Sequence, residues 1–242
     1  MARVGVTGPV DVLDGRFGFY NNFESVNDLK NSIPALAKPW KVTRLSHKPF
    51  PSGRVTHGVI HTLRKIRTEM SIDPAEANAR IKSMRVELPP LGFRLTGRPA
   101  ITNPPPNYAR LCIPFLGAVE LLVGRVDPTT FAPEVLENKE IEALACRIET
   151  VEVDHPDPNA FFPQRLQVEF NDGSTIDEKI PYAWGHPELP MEKQAREEKF
   201  ALCWALARDG QSSNSTEMAE LMSWIEKLEE ASSCQKILDL LV

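Results

Sequence analysis

The distribution of proline constrains the fold of this 242-residue chain more than any other feature of the sequence. All 21 prolines lie at or before Pro190, and residues 191–242 contain no proline and one glycine, Gly210. Because proline breaks helices and is frequent in loops, the sequence predicts a loop-rich mixed region followed by helices. We therefore expect an α+β fold with a helical C-terminal segment.

Two stripes of apolar residues support helices in the proline-free segment. Their members recur at the i, i+3, i+4, i+7 spacing of one helix face: Phe200, Cys203, Trp204 and Ala207, then Met218, Leu221, Met222 and Ile225. Asn214, with Glu217 three residues later, predicts a capping box for the second helix. Residues 233–242 predict a short third helix.

The region before Pro190 mixes helical and strand periodicities. Apolar residues at helical spacing predict two helices: one carries Val59, Leu63, Ile66 and Met70, the other Phe115, Ala118, Val119 and Leu122, with Gly124 as its cap. Residues 134–145 predict a third helix. Alternating apolar and polar residues predict strands near 84–88, 147–153 and 166–170, and Asn171-Asp172-Gly173-Ser174 predicts a hairpin after the last of them.

Composition limits the classes of partner. The net charge of −5, from 28 basic and 33 acidic residues, argues against a nucleic-acid partner. No run of about 18 apolar residues is present, and the first residues have no long apolar stretch, so we expect neither a membrane span nor a secretory signal. Four cysteines without a CxxC pair indicate reduced thiols in a cytoplasmic protein.

The richest group of candidate functional residues lies in residues 46–57, just ahead of a predicted helix. It includes His47, Lys48, Arg54 and His57. Helix N-termini attract anions through free N–H groups and the helix dipole, so a lysine and an arginine here favour a carboxylate-binding site. A solvated basic loop before an ordinary helix is the alternative, and the sequence pattern leaves both open.

Other histidines and cysteines carry weaker signals. His155 and His186 lie beside prolines, which favours turns. His57 and His61 are one helical turn apart, as in zinc sites, but Gly58 replaces the glutamate of an HExxH motif, so we expect no metal. Cys112 is expected to be a buried, inert thiol. No GxGxxG, P-loop or GxSxG motif is present.

Five stretches, taken together and in order, resemble the MmgE/PrpD family, which includes 2-methylcitrate dehydratase, cis-aconitate decarboxylase and iminodisuccinate epimerase. They are Gly5-Val6-Thr7-Gly8-Pro9 with Leu13-Asp14-Gly15 and Gly18-Phe19; Lys48-Pro49-Phe50-Pro51 with Thr56-His57; Ala109-Arg110-Leu111-Cys112-Ile113-Pro114-Phe115 with Leu121-Leu122-Val123-Gly124; Pro163 with Asn171-Asp172-Gly173; and Gly185-His186-Pro187 with Lys199-Phe200.

The resemblance implies an α/β lid domain flanked by helices that belong to an incomplete all-α domain. Residues 1–35 would end an N-terminal helical domain whose remainder is missing, 36–184 would form the lid, and 185–242 would be helices returning to the helical domain. The boundary near 185 agrees with the proline distribution. The resemblance also implies a homodimer, or a partner that supplies the missing helical part.

The resemblance further implies a cofactor-independent hydro-lyase in propionate catabolism, acting on a small di- or tricarboxylate such as 2-methylcitrate. Lys48 matches the lysine of the family's KPYP-type motif and His57 its TH histidine, which makes them the candidate catalytic residues. Arg54 and His47 are the candidate substrate-binding residues. Decarboxylation or epimerisation of a related polycarboxylate is an alternative, since the same proton abstraction serves all three reactions.

The sequence also departs from the family pattern. Ser52-Gly53 replaces a cysteine common after the KPYP-type motif, His61 replaces a common aspartate, and Phe115 replaces a common tyrosine. These changes leave the substrate and the activity open. A non-catalytic fragment, or a subunit that needs an N-terminal partner, is the third expectation, because Met1 lies inside what the resemblance implies is a continuous helical domain.

Overall fold

The computed structural model describes residues 4–5, 7–8, 10–13, 15–16, 18–23, 40–208, 215–231, 233, 235, 237 and 239. These residues belong to two compact units, Met1–Leu45 and Ser46–Val242. The predicted cap Asn214 lies outside the described residues, as do most residues of the helix predicted at 233–242. The predicted division of the chain at residues 35 and 184 stays a prediction.

The first unit contains a short helix, α1 (Phe19–Phe23), and a 3-10 turn at Lys41–Arg44. The chain folds back before α1, since the Phe19 amide donates to the Val12 carbonyl at 2.8 Å. Its described apolar side chains include Val10, which is 95% exposed. This unit therefore forms no apolar core of its own among the described residues.

The second unit is built on a four-stranded mixed sheet. Its strands are β1 (Ile81–Leu88), β2 (Ile148–Glu152), β3 (Gln164–Phe170) and β4 (Thr175–Ile180). They lie in the order β2-β1-β3-β4, with β1 parallel to β2 and the other two pairs antiparallel. The strand predictions and the hairpin at residues 171–174 are confirmed.

Helices connect and cover the strands, which confirms the α+β class. They are α2 (His57–Glu69), α3 (Ala77–Arg80), α4 (Pro90–Thr96), α5 (Pro106–Ala109), α6 (Ile113–Leu122), α7 (Pro133–Leu136), α8 (Lys139–Ala145), α9 (Lys193–Ala207) and α10 (Ser215–Glu226). Short 3-10 turns lie at Arg54–Thr56, Pro74–Glu76, Pro128–Phe131 and Leu228–Glu230. In the described part of the chain, no helix is both long and apolar enough to span a membrane.

The core lies between one face of the sheet and the pair α2 and α6. Alternate residues of β1 and β3, such as Val86 and Leu166, are fully buried there. Gly117 lets α6 approach closely, because a Cβ at this position would lie 3.1 Å from Cδ1 atoms of both Leu63 and Ile148. The other face of the sheet carries cross-strand ion pairs such as Lys82–Glu169, as expected for a solvated face.

Two details differ from the sequence predictions. Residues 134–145 form two helices rather than one, because the Asn138 side chain accepts from the amides of Glu140 and Ile141 and so caps α8. In the apolar stripe of α9, Trp204 is buried but Cys203 is exposed. The prediction for α6 is confirmed, with Gly124 following its end at a left-handed φ of 81°.

Candidate functional site

A cavity of about 440 Å³ in the second unit lies beside the Lys-Pro-Phe-Pro segment. Four parts of the chain form its wall: residues 48–51, α2, the 125–128 segment, and the region from Trp184 through α9. The lining residues are Lys48, Pro49, Phe50, Pro51, Arg64, Arg125, Val126, Asp127, Pro128, Trp184, Met191, Ala195, Glu198, Lys199, Leu202 and Cys203. A volume of this size suits a small molecule.

The segment before the cavity is fixed by contact with a glycine. The His47 amide donates to the Gly185 carbonyl at 2.9 Å. Gly185 has a φ of 89°, and a Cβ there would lie 2.2 Å from the His47 carbonyl oxygen. Only glycine fits this conformation and this approach. On the other side, the Lys199 ammonium of α9 donates to the Lys48 carbonyl oxygen.

Lys48 and His57 both contact the backbone of Ser52. The Ser52 carbonyl oxygen lies 3.2 Å from Lys48 Nζ and 3.3 Å from His57 Nε2. A carbonyl oxygen only accepts hydrogen bonds, so the proton of the His57 ring lies on Nε2. The Ser52 and Thr56 hydroxyls, 2.8 Å apart, close the same turn. The residues between Lys48 and His57 therefore form one hydrogen-bonded loop.

His57 is neutral in this environment. Its side chain is fully buried, and an edge of the ring faces Phe50 at a centroid distance of 5.6 Å. The pKa of His57 is lowered from 6.5 to about 4, mainly by burial and also by the positive charges of Lys48 and Lys199, while the hydrogen bond to Ser52 acts in the opposite direction. Nδ1 is unprotonated and has no hydrogen-bond partner among the described residues.

The structure brings only some of the predicted site residues together. Lys48 lines the cavity, whereas His47, Arg54 and His57 are absent from its described lining. The catalytic assignments of Lys48 and His57 and the binding assignments of His47 and Arg54 stay predictions. Lys199, which lies 151 residues after Lys48, belongs to one of the family-like stretches but was not predicted as a site residue. Only knowledge of which helix returns to the loop would have identified it.

Arg64 also lines the cavity and was missed. Its Nε and NH2 groups donate to the two carboxylate oxygens of Glu120 at 3.1 and 2.9 Å. Glu120 lies on α6, is fully buried, and also pairs with Arg67 at 3.5 Å. The Arg64 guanidinium lies 4.9 Å from the centre of the Phe50 ring. A glutamate within an apolar helix was the signal in the sequence that could have identified this pair, since buried charges require partners.

The charges around the cavity favour an anionic ligand. Its ionisable lining groups are four cations and two carboxylates: Lys48, Arg64, Arg125, Lys199, Asp127 and Glu198. The chain as a whole has a net charge of −5. The cavity is thus a positive region on an acidic protein, and such a concave region concentrates anions.

The other histidines and Cys112 lie in turns, in a ring stack or in the core, and not at the cavity. The Nδ1 atoms of His155 and His186 accept backbone N–H groups within turns, which confirms the turn predictions. Cys112 is buried as predicted, and desolvation raises its pKa to about 11, while its inertness stays a prediction. The His61 ring stacks on Trp184 at 4.7 Å, and burial lowers its pKa. Over the described residues, no three His, Cys, Asp or Glu side chains cluster as a metal site would require.

Fold and site together define an α+β domain with a cation-rich cavity beside a basic loop. The chain belongs to the MmgE/PrpD family, because the profile of the MmgE/PrpD C-terminal domain matches residues 50–222. The match contains the sheet and most of the cavity wall, and it begins two residues after Lys48.

Two curated relatives show how far the similarity extends. A probable 2-methylcitrate dehydratase of Saccharomyces cerevisiae is 31% identical over 115 residues, covering 44% of this chain and 22% of the yeast protein. The cis-aconitate decarboxylase-like protein oryM of Aspergillus oryzae is 24% identical over 210 residues, covering 81% of this chain and 43% of that protein. The chain therefore spans less than half the length of either relative.

Proposed function

We propose that this chain forms the C-terminal part of a cofactor-independent lyase that dehydrates a small di- or tricarboxylate resembling 2-methylcitrate. The observation that carries the proposal is the net positive cavity beside the Lys-Pro-Phe-Pro loop of an acidic protein. Ammonium groups pair strongly with carboxylates when both are partly removed from water. Family membership and the yeast dehydratase support the choice of reaction.

Lys48 is the central cation of the proposed mechanism. Dehydration removes a proton next to a carboxylate and expels hydroxide, and a fixed cation stabilises the charge that develops on that carboxylate. Lys48 is held at the cavity by the Ser52 carbonyl, and Lys199 adds a second ammonium group beside it. Both ammonium groups keep further N–H donors for a ligand, because each ammonium has three.

His57 is the proposed base, and because its ring is buried it must become accessible before it can act. Its unprotonated Nδ1 is in the state that a base needs, but the fully buried ring does not line the cavity. A pKa of about 4 also makes it a weak proton acceptor at neutral pH. The proposal therefore requires the Ser52 turn to open when substrate binds, which would expose and rehydrate the ring.

The wider setting follows from the same similarity and is part of the proposal. We propose a place in propionate catabolism, as the family resemblance implies, and a cytoplasmic location, as the four cysteines without a CxxC pair indicate. We also propose a homodimer, or association with a partner that supplies an N-terminal helical part, since the matching family model is that of a C-terminal domain and the alignments cover less than half of each relative. In this proposal the substrate is bound between the positive cavity and residues of the second copy or the partner.

A decarboxylase is the second candidate. The Aspergillus oryzae relative carries a cis-aconitate decarboxylase-like name and aligns over 81% of this chain. Decarboxylation uses the same carboxylate-binding cations but expels carbon dioxide instead of hydroxide. An epimerase acting on a related polycarboxylate would use the same cations to stabilise the charge left when a proton is removed from one face of the carbon, before a proton returns to the other face.

A parallel turnover assay tests these candidates. The protein is incubated with 2-methylcitrate and with cis-aconitate, following the new double bond in the first case and carbon dioxide in the second. Lys48→Ala serves as the site control. Turnover of 2-methylcitrate that Lys48→Ala abolishes supports the dehydratase, and carbon dioxide from cis-aconitate supports the decarboxylase. If neither substrate reacts, also after addition of a relative's N-terminal part, the enzymatic proposal is wrong.

A further inference from the structure

One cation of the cavity differs from the others in how it is held. Lys48 and Lys199 carry flexible side chains that contact backbone carbonyls. Arg64 instead makes a two-pronged ion pair with Glu120, whose carboxylate is completely buried. Such a fork fixes the plane of the guanidinium as well as its position.

The pairing leaves part of the guanidinium available. Glu120 accepts from Nε and NH2 of Arg64, so NH1 makes neither of these bonds. The Arg64 side chain is 32% exposed, although its partner is not exposed at all. Arg64 therefore lines the cavity with one edge of its guanidinium paired with Glu120 and with NH1 outside that pair.

The charge of the cluster stays positive because Glu120 has two arginine partners. Arg67 also contacts the Glu120 carboxylate and donates to the Gly124 carbonyl at 3.1 Å. Two guanidinium groups and one carboxylate carry one net positive charge. Burial of the Glu120 carboxylate would be strongly destabilising without these two arginines. In return, the carboxylate fixes the Arg64 guanidinium at the cavity wall.

We propose that Arg64 binds a carboxylate of the substrate and that Glu120 is the positioning residue that orients its guanidinium. This inference rests on the proposed function, since it assigns a second carboxylate contact in the same cavity. Phe50 completes the arrangement, because its ring packs against the guanidinium face and links Arg64 to the loop that carries Lys48. The distance between two carboxylates of the substrate would then determine whether it can contact Lys48 and Arg64 at the same time.

Citrate binding measured by calorimetry tests the role of Arg64 without requiring turnover. Arg64→Gln removes the cation and leaves Glu120 paired with Arg67. Lys65→Gln is the matched control, because it removes the same charge from the next position of α2, where the side chain pairs with Glu69 and does not line the cavity. We expect citrate affinity to fall at least about tenfold in Arg64→Gln and to stay within about twofold of the wild-type value in Lys65→Gln.

A second measurement separates positioning by Glu120 from simple support of the fold. Glu120→Gln is expected to lower the melting temperature of the free protein because it leaves the two partly buried guanidinium groups of Arg64 and Arg67 without their counter-charge. A purely structural role would leave the rise in melting temperature caused by citrate intact. A positioning role reduces that rise, since bound ligand stabilises the fold according to its affinity.

These measurements test the polycarboxylate site, the role of Arg64 and the role of Glu120 separately. Absence of citrate binding by the wild-type protein, both alone and after addition of a relative's N-terminal part, overturns the proposed polycarboxylate site and this inference with it. Equal affinities of the wild-type protein and Arg64→Gln overturn the role of Arg64 alone. An unchanged citrate-induced rise in Glu120→Gln overturns the positioning role of Glu120. Weak binding in Arg64→Gln, normal binding in Lys65→Gln and a reduced rise in Glu120→Gln establish the inference.

Discussion

Lys48 and His57 donate hydrogen bonds to the same carbonyl oxygen, that of Ser52, at 3.2 and 3.3 Å. One of these donors faces the cavity and the other is buried behind the loop. The position of the exposed ammonium is thereby coupled to the packing of the buried ring. A change at His57 is expected to reach the cavity through this single backbone group.

Removing the ammonium of Lys199 is expected to weaken catalysis more than stability. Lys199→Met deletes the contact to the Lys48 carbonyl and one cation of the cavity. We expect kcat/KM for the substrate identified by the turnover assay to fall by about tenfold to a hundredfold. Lys193→Met is the control on the same helix, since Lys193 pairs with Glu226 away from the cavity. Equal loss in both variants would contradict the prediction.

The free energy of unfolding is expected to depend on pH through His57. The pKa of the buried ring is about 4, whereas in the unfolded chain it returns to 6.5. Between these values the unfolded chain binds more protons, so stability falls as the pH falls from about 6.5 towards 4 and is fully present above 6.5. The loss reaches about 3 kcal/mol at pH 4.

Urea unfolding across this pH range measures the effect. His57→Gln cannot titrate, so the difference in unfolding free energy between the wild-type protein and this variant isolates the contribution of the ring. His155→Gln, which changes an exposed turn residue, is the control. A wild-type profile parallel to that of His57→Gln would show that the ring is not buried in its neutral form.

Gly58 is expected to tolerate no side chain. A Cβ there would lie 2.6 Å from Cγ2 of Ile180 and 3.1 Å from the Phe162 ring. Gly58→Ala should therefore lower the free energy of unfolding by about 1–3 kcal/mol. Gly92→Ala is the matched helical control, because its nearest contact would be an ordinary 3.4 Å to Val55. The urea concentrations at half-unfolding of the two variants measure the difference. Similar values would contradict the close contact of Gly58 with Ile180 and Phe162.

Thiol labelling should report occupancy of the cavity. Cys203 lines it and is exposed, Cys146 is exposed elsewhere, and Cys112 is buried with its pKa raised to about 11. A maleimide reagent should modify the first two cysteines and spare Cys112. Citrate should slow modification of Cys203 and leave Cys146 unaffected, as mass spectrometry of the peptides can measure. Equal slowing at both would argue against a ligand in the cavity.

The strands and long helices of the second unit follow from local periodicity. Val86 and Leu166 are predicted by strict alternation, and both are buried as that alternation requires. The break at Asn138 was not predicted, because a helix pattern continues on both sides and only the side-chain cap interrupts it. Propensity alone does not distinguish an internal asparagine from an N-cap.

Residues of the site could be predicted only where they lie close together in the sequence. Lys48 stood out because it lies in a short basic segment, and the structure places it at the cavity. Arg64 and Lys199 reach the same cavity from a helix flank and from the C-terminal helix, positions that a reading along the chain gives no reason to combine. Their role depends on tertiary packing, including the burial of Glu120 on another helix.

The order of strands in the sheet has a consequence during synthesis. The central strand β1 emerges first, and both of its neighbours, β2 and β3, are translated later. At ribosomal rates of about 5–20 residues per second, the wait between Leu88 and the first residue of β2 lasts on the order of seconds. For that time the apolar row of β1 has no strand beside it, so the growing chain depends on local helices or a chaperone to keep this row from pairing with another chain.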